Sequence, residues 1–460
     1  MVKEEIVKQK LYEKYIEPTK KKREHFIGVE LEMPIVNLNK AAVDFALVHR
    51  ITREFMEEFH FEEQGIDDEG NIYAAVNNEN GDILSYDCSY NNLEFSFGKT
   101  NNLNDIFFRF NSYYSYMNKK FNEEHHTLTG MGVNPYRIFN RMEPIPNGRY
   151  RMLLHHINSY KNYDLPMYFH NYPTYGLFSS ASQVQLDVDY DKLIDTLNVF
   201  SKLEPIKAIL FSNSVILEEQ EHIAGIRDIL WENSTHGINP HNVGMFGHDL
   251  ASIDDLMKYI ESTSMYCVEK EGKYINFPPV NVLEYFRQEK IKGEFFNGTK
   301  YESIWFVPEI EDLKYLRTFK FEDLTFRGTI EFRSVCCQPI SDVMSVAAFH
   351  VGLMEKIEEL KDILEKDYFL FHQGYNASEL RKIFNMMKWP ENFKQDQVYQ
   401  LVKQVVDLAK EGLEQRDLGE VKYLEPLYGR INKKTNPAKY MLQKLKAGAK
   451  IEELIKEYSI

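Results

Sequence analysis

A polar doublet recurs in separate strand-like segments of the sequence, and it constrains the fold more than any other feature. Side chains at i and i+2 of a strand share a face, so a doublet directs two polar groups to one side while the apolar residue between them faces a core. The doublets are Glu30 and Glu32 in Gly-Val-Glu-Leu-Glu, Gln183 and Gln185 in Ser-Gln-Val-Gln-Leu, and Glu331 and Arg333 in Thr-Ile-Glu-Phe-Arg, with Glu94 in Leu-Glu-Phe-Ser-Phe as a further position. If these strands form one sheet, its polar face gathers carboxylates, amides and a guanidinium.

A face of this kind needs a compensating charge, because carboxylates a few ångströms apart raise one another's pKa or hold a cation between them. The donors are oxygen atoms of Glu and Gln, and the sequence has no Cys or His pair at zinc spacing. Such donors suit Mg²⁺ or Mn²⁺. Since Mg²⁺ in enzymes usually bridges phosphates, carboxylates beside Arg333 favour ATP bound on an open sheet. A single Glu-x-Glu is more often an exposed strand edge, so the hypothesis depends on the recurrence.

Composition narrows the classes of partner. Lys and Arg total 55 against 70 Asp and Glu, and the formal charge of -15 repels phosphate backbones and anionic membranes. We therefore expect small-molecule substrates, and neither nucleic acid nor a membrane as partner. Hydrophobic residues make up 43% of the 460 residues, which predicts a packed core. Four scattered cysteines, with no signal-like segment and no apolar run of about 18 residues, predict a reducing, cytoplasmic location.

Periodicity predicts an α+β chain. Alternation predicts strands over 25–36, 179–188 and 325–335, and a hairpin over 71–97 that turns at Asn80 and Gly81. Within 1–25 the sequence predicts an amphipathic helix that stops near Pro18. Helical spacing also predicts helices over 42–61 and 102–122, one from Leu193, and a second one starting at Pro205. Residues 225–310 are expected to be rich in loops. We predict a catalytic sheet-and-helix core over 1–340 and a helical C-terminal region over 341–460 packed on the same domain.

Longer motifs follow one another in an order that is typical of one enzyme family. They are Gly28-Val-Glu-Leu-Glu32, Pro146-Asn-Gly-Arg-Tyr150, Ala181-Ser-Gln-Val-Gln-Leu-Asp187, Gly225-Ile-Arg-Asp-Ile-Leu-Trp231, Ile330-Glu-Phe-Arg333 and Ala348-Phe-His-Val-Gly-Leu353. With these motifs the chain resembles the glutamate-cysteine ligases of the plant and proteobacterial type, over roughly residues 10–440.

The resemblance implies a glutamine-synthetase-like fold, with a curved, mostly antiparallel sheet bent into a funnel, helices packed outside it and Mg²⁺ on its inner face. It also implies the reaction. The γ-phosphoryl group of ATP moves onto the side-chain carboxylate of glutamate, and the amine of cysteine then attacks the acyl phosphate to form γ-glutamylcysteine. This is the first step of glutathione biosynthesis.

The matching motifs place the family's roles on individual residues. The residues that look like its metal ligands are Glu30, Glu32, Glu94 and Glu331. Glu331 and Arg333 are expected to be catalytic, with Arg333 on the phosphate side. The residues expected to bind the cofactor or a substrate anion are Gln183, Gln185, Arg149 and Arg227.

The sequence departs from the family pattern mainly on the substrate side. After Trp231 the chain runs Glu232-Asn-Ser-Thr-His-Gly237, where the family has an acidic residue and an arginine before Thr-Gly. Gln185 replaces a shorter amide, and Asp87-Cys88 stands where the family has Glu followed by Pro-Gly-Gly. The metal side therefore resembles the family more closely than the acceptor side.

Three other functions stay open on the sequence. A ligase of the same fold could join a different acid and amine, which the altered 232–237 segment favours. A glycoside hydrolase could use paired carboxylates, because i and i+2 on a strand lie about 6.5 to 7 Å apart at Cα; the chain has only three Trp for sugar stacking. A homologue could bind ATP without turnover.

Overall fold

The computed structural model describes residues 3–21, 23–219 and 221–460. Its strands are β1 Ile27–Asn37, β2 Glu62–Ile66, β3 Ile72–Val76, β4 Ile83–Tyr86, β5 Asn92–Thr100, β6 His126–Leu128, β7 Ser182–Asp187, β8 Val243–Gly244, β9 Ser264–Lys270, β10 Lys273–Asn281, β11 Ile291–Phe296, β12 Tyr301–Phe306, β13 Phe319–Lys320, β14 Glu322–Leu324 and β15 Thr329–Phe332.

The helices alternate with these strands and then follow them without interruption in the C-terminal part. They are α1 Glu4–Tyr15, α2 Phe45–Phe59, α3 Leu103–Glu123, α4 Gly148–Asn158, α5 Leu193–Phe211, α6 Ile226–Glu232, α7 Ile253–Glu261, α8 Val282–Arg287, α9 Met344–Met354, α10 Ile357–Lys366, α11 Ala377–Phe384, α12 Gln395–Arg416, α13 Glu425–Lys433, α14 Pro437–Lys446 and α15 Ile451–Glu457. Within the described residues, each helix is too short or too polar to cross a membrane.

The main sheet has the strand order β14-β15-β7-β1-β5-β4-β3-β2, with β6 paired to β1. Its pairs are antiparallel. In β1 the apolar side chains of Val29, Leu31 and Met33 are buried in the core, so the residues between them point to the opposite face. The turn at Asn80 and Gly81 joins β3 and β4, as predicted. The predicted α+β class with a mostly antiparallel sheet is confirmed.

A second sheet has the order β12-β11-β10-β9 and lies within the segment that the sequence predicted to be rich in loops. That prediction is wrong. Pro278 and Pro279 lie in β10 where the pairing with β9 is interrupted between Asn276 and Val280. A proline has no N–H to donate, so it is tolerated in a strand at such an irregularity.

Helix α5 runs through Pro205, where the sequence predicted the start of a new helix. That prediction is wrong as well. Both Leu203 and Ile206 are fully buried, so the helix is held on either side of the proline. Tertiary packing of this kind outweighs the single hydrogen bond that proline removes from a helix.

The C-terminal helices pack on the same core as the main sheet. Helix α9 is buried along its length and contacts β7, and α11 packs on α5. Helices α9 and α12 approach so closely that a Cβ on Gly352 would lie 2.1 Å from the carbonyl oxygen of Ala409. One hydrophobic cluster includes residues from both sides of position 340. A catalytic core over 1–340 with a helical region over 341–460 stays a prediction.

Candidate active site

The pairing register places the predicted polar residues of three strands on one face of the main sheet. Glu32 on β1 lies directly opposite Glu94 on β5, and Glu30 lies opposite Gln183 on β7. Opposite residues in antiparallel strands project from the same face, with Cβ atoms about 5 Å apart. The Glu32 carboxylate accepts hydrogen bonds from the Ala181 N–H at 2.7 Å and from Nε2 of Gln183 at 2.9 Å. Burial and these bonds hold Glu32 in one orientation.

The same face continues across β7 to β15. Gln185 lies opposite Glu331, and its Nε2 donates to Oε2 of Glu331 at 3.2 Å. The other oxygen of Glu331 accepts a hydrogen bond from Arg333. The Arg333 guanidinium lies 5.7 Å from the ring centre of Phe319, and Nε of Arg327 donates to Gln185 at 3.2 Å. Two guanidinium groups therefore border this end of the face.

Two further carboxylates belong to this face, and the sequence analysis missed their role. Asp323 on β14 lies opposite Glu331. Ser85 lies opposite Glu94, and Asp87 follows two residues later, so it projects to the same side. The predicted strand began at residue 325 and excluded Asp323, whereas Asp87 was treated as a departure from the family. The spacing of Asp87 from Ser85 was the signal that could have found it. The acidic face is the set Glu30, Glu32, Asp87, Glu94, Asp323 and Glu331.

The positive groups around the acidic face do not fully compensate its negative charge. Burial and the charge of Asp87 raise the pKa of Glu32 to about 8. Burial and the charge of Glu32 raise the pKa of Glu94 to about 8. The pKa of Glu30 is raised well above its ordinary value by burial and by Glu331. A cation bound here would relieve this repulsion.

Two further arginines approach the acidic face from helices. Arg227 on α6 is buried, and its Nη1 donates to the carbonyl oxygen of Ser334 at 3.3 Å. Its positive charge opposes the effect of burial on the pKa of Glu32. Arg149, near the start of α4, is exposed, and its charge likewise opposes the effect of burial on the pKa of Asp87. Both guanidinium groups therefore lie near enough to the acidic face to act on its carboxylates.

The structure thus assembles most of the predicted site. The residues on the one face are Glu30, Glu32, Glu94, Glu331, Gln183, Gln185 and Arg333. Arg149 and Arg227 lie beside this face on α4 and α6, and their charges act on it without a direct hydrogen bond to a carboxylate among the described residues. The roles of these residues in metal and substrate binding stay predictions.

The carboxylates of the acidic face do not form a closed metal cage. Within residues 3–21, 23–219 and 221–460, no set of three His, Cys, Asp or Glu side chains forms a group that could hold a metal ion. Mg²⁺ does not need such a cage, because it is usually held by one or two carboxylates and completes its octahedron with waters and substrate phosphates. In the described chain, Oε1 of Gln183 is buried without a hydrogen-bond partner, and buried polar atoms are normally satisfied. The donor chemistry and this oxygen both fit a bound hard cation.

A cluster of aromatic rings lies next to this site, and it includes His236 from the segment that departs from the family motif. Trp231 stacks on Phe319 with ring centres 4.8 Å apart, and His236 lies 4.2 Å from the same Phe319 ring. His156 stacks on Tyr266 at 4.1 Å. Burial lowers the pKa of His236 to about 3, so its imidazole is neutral. His236, in the segment that departs from the family pattern, is therefore a neutral imidazole packed among aromatic rings.

Comparison with known proteins identifies the family. The model of "Glutamate-cysteine ligase family 2 (GCS2)" matches residues 26–458. Among curated proteins, the chloroplastic glutamate-cysteine ligase A of Oryza sativa subsp. indica is 22% identical over 320 residues, which are 68% of this chain and 60% of the relative. The chloroplastic enzyme of Nicotiana tabacum is 23% identical over 326 residues, which are 68% of this chain and 56% of the relative. The matched part thus spans less than two thirds of these relatives.

Solved structures resemble the chain only distantly. The glutamate-cysteine ligase of Francisella tularensis in complex with AMP has a TM-score of 0.49 at 11% identity, covering 96% of this chain and 88% of that one. The bifunctional glutathione synthetase of Pasteurella multocida has a TM-score of 0.48 at 12% identity, covering 100% of this chain and 53% of that one. The family model matches nearly the whole sequence, and the chain therefore belongs to glutamate-cysteine ligase family 2.

Proposed function

We propose that this protein is an ATP-dependent glutamate-cysteine ligase, which forms γ-glutamylcysteine through a γ-glutamyl phosphate. The observation that carries the proposal is the acidic face, where Glu32 and Glu94 lie opposite each other and Glu331 is bonded to Arg333. The proposal also rests on membership of the family. The substrates would be small molecules: ATP, glutamate and cysteine.

The chemistry of the reaction explains why such a face is needed. A carboxylate is a poor electrophile because its negative charge repels nucleophiles, and phosphorylation turns one of its oxygens into a leaving group. The triphosphate and the carboxylate are both anions, so positive charge and correct positioning must supply most of the rate. The reaction needs no nucleophile from the protein.

The carboxylates Glu30, Glu32, Glu94 and Glu331 would hold Mg²⁺ or Mn²⁺. When bound there, the ion would neutralise the phosphate oxygens and favour transfer of the γ-phosphoryl group. The raised pKa of Glu32 and of Glu94 supports this role, because a cation would favour the ionised carboxylates.

The amides and arginines would bind the anions. Gln183 and Gln185 already orient Glu32 and Glu331 through hydrogen bonds, so they would fix the ligands and contact a phosphate. Arg333 would stabilise the charge on the transferred phosphoryl group from its place beside Glu331. Arg227 and Arg149 would bind a carboxylate or a phosphate of a substrate.

A second candidate is a ligase of the same fold that uses a different amine. The cluster of Trp231, His236 and Phe319 favours it, because flat apolar rings suit an acceptor with an apolar or aromatic side chain. Under this alternative the acidic face keeps its role, and only the acceptor differs from cysteine.

A coupled assay of ADP release tests both candidates. The purified protein is supplied with Mg²⁺ and ATP, and pairs of amino acids are screened, with each product identified by mass spectrometry. We expect release of ADP that requires both glutamate and cysteine and stops when EDTA removes the metal. Release with glutamate and another amine, but not with cysteine, would support the second candidate. No release with any pair, despite measurable binding of ATP, would contradict both.

A further inference from the structure

A buried ionic network lies behind the arginine side of the site and joins it to the C-terminal helices. Arg381 on α11, which is 5% exposed, binds both oxygens of Asp228 on α6, with Nε at 2.6 Å and Nη2 at 3.0 Å. Its Nη1 also donates to Oε2 of Glu204 on α5 at 2.5 Å and to the Glu204 carbonyl oxygen at 3.0 Å. One guanidinium therefore ties three helices together.

Asp228 directly follows Arg227 in α6, so anchoring one residue fixes the direction of the other. Successive side chains of a helix leave it about 100° apart, and a helix held at Asp228 cannot rotate without moving Arg227. Asn385, just after α11, adds a further hydrogen bond to Asp228 at 2.7 Å. Contacts from α11 thus hold the residue next to Arg227.

A second link runs through the backbone at the end of β15. The carbonyl oxygen of Ser334 accepts from Nη1 of Arg227 at 3.3 Å and from Nη2 of Arg381 at 3.4 Å. The Ser334 hydroxyl donates to Glu204 at 3.0 Å. Ser334 is the neighbour of Arg333, so the same network holds the chain that carries the phosphate-side arginine.

We infer that Arg381 is a positioning residue, which sets the guanidinium of Arg227 toward the acidic face by clamping Asp228 and Ser334. The inference rests on the proposed function in one respect, that Arg227 meets an anionic substrate. If this inference holds, the C-terminal helical region contributes to the site as well as to the core, because α11 positions Arg227.

The inference depends on the forked shape of the guanidinium as well as on its charge. Lysine carries the same charge at a single point and cannot bind both oxygens of Asp228 in one plane. Arg381→Lys therefore keeps the buried charge balanced while it removes the clamp. This substitution separates positioning from charge compensation.

Arg430 on α13 supplies a matched control. It is 6% exposed, lies in the same C-terminal region, and binds Gln338 at 2.7 Å and Asp342 at 2.7 Å, with no hydrogen bond to α6 among the described residues. Arg430→Lys thus makes the same chemical change in a buried arginine that is not part of the clamp.

The experiment compares Arg381→Lys and Arg430→Lys in the full-length protein by three measurements. Thermal unfolding reports stability, steady-state kinetics report KM for ATP and for glutamate together with kcat, and hydrogen exchange reports opening of residues 226–232. We expect both variants to lose stability to a similar degree. Only Arg381→Lys should raise the KM of at least one anionic substrate roughly tenfold and speed exchange in α6.

Two results would overturn the inference. The first is that Arg381→Lys loses as much stability as Arg430→Lys but keeps the KM values and the hydrogen exchange of α6 seen in the wild type. The network would then serve stability alone. The second is that KM and the rate of exchange in α6 rise equally in both variants. Hydrogen exchange needs no substrate, so a wild-type protein without ligase turnover contradicts the proposed function and leaves the test of positioning intact. Should Arg381→Lys not fold, Asp228→Asn breaks the same clamp and must show the same pattern.

Discussion

Two regions of this protein are rich in charged residues, and they differ in how far cations compensate their buried carboxylates. On the acidic face, burial and neighbouring carboxylates raise the pKa of Glu32 and of Glu94 to about 8. In the network behind β15, burial alone would raise the pKa of Glu204, but Lys207 and Arg381 outweigh it and lower that pKa to about 2. Both regions bury carboxylates, but Glu204 has two cations as direct partners. On the acidic face Arg333 is bonded to Glu331, and the other carboxylates have no hydrogen bond to a cation among the described residues.

The difference suggests a physical test of the role we propose for each region. A buried carboxylate with its cations in place has all its partners within the fold, so it stabilises one arrangement of the chain. A set of carboxylates without enough cations has capacity left for a ligand, which in this family is expected to be a metal ion with its nucleotide. The following predictions test this distinction, from the largest effect to the smallest.

Glu204→Gln should strongly destabilise the fold. The change takes from Lys207 its bonded carboxylate and from Arg381 one of its two, the other being Asp228. Removing one partner of a buried pair costs about 3 to 5 kcal/mol of unfolding free energy. Denaturant unfolding of the variant measures this loss. As a control, Asp195→Asn removes a surface partner of Lys361, where the pair is 2.9 Å apart, and should cost less than about 1 kcal/mol. Equal losses in the two variants would contradict the distinction.

Mg²⁺ should stabilise the wild-type protein through the acidic face. Binding at about 100 times the dissociation constant adds about 2.7 kcal/mol, which thermal unfolding with and without the ion detects. The double variant with Glu32→Gln and Glu94→Gln should lose this response and should be at least as stable as the wild type in EDTA, because two repelling groups are gone. An undiminished response in the double variant would place the metal elsewhere.

Glu331→Gln should lower ADP formation at least tenfold while the protein stays folded, because a ligand loses its charge and keeps its shape. The rate of ADP release at saturating substrates measures the effect, and circular dichroism checks the fold. Glu302→Gln, at an exposed position of β12, serves as the control and should leave the rate unchanged. Turnover close to that of the wild type in Glu331→Gln would remove this residue from the metal ligands.

Acid should remove the contribution of Glu204 to stability. Its pKa is lowered in the fold, so its contribution is fully present above the ordinary carboxyl value of 4.5 and is lost as the pH falls through about 2. The unfolding free energy of the wild type should therefore fall over this interval more steeply than that of Glu204→Gln. Parallel curves for the two proteins would show that Glu204 is not held by Lys207 and Arg381 as described.

Much of the site could be predicted because it is local in sequence. The doublets place Glu30 with Glu32 and Glu331 with Arg333 on a shared face by the geometry of a strand alone. Asp323 was missed because β14 is only three residues long, too short for an alternating pattern. The network around Glu204 and Arg381 was missed for another reason: its members are 177 residues apart, and nothing in the spacing of either residue indicates the other.

The second sheet and the course of α5 show the limits of local signals for the fold. Pro205 was interpreted as a helix start, because proline lacks an N–H and restricts its neighbours. The segment 225–310, which contains Pro278 and Pro279, was predicted to be rich in loops. In the structure one lies inside a buried helix and two at an irregularity of a strand. Packing on several sides outweighed the local preference in each case.

The amino-acid sequence alone determined which side chains share a face of each strand, and the order of its motifs pointed to the family. The tertiary structure alone decided the strand order that brings Glu94, Glu32, Gln183 and Glu331 side by side, and the placement of Arg381 behind Arg227. The physical reason is the distance along the sequence over which each interaction acts. Strand periodicity acts between neighbours two residues apart, whereas the pairing of distant strands and the burial of an ion pair depend on how the whole chain packs.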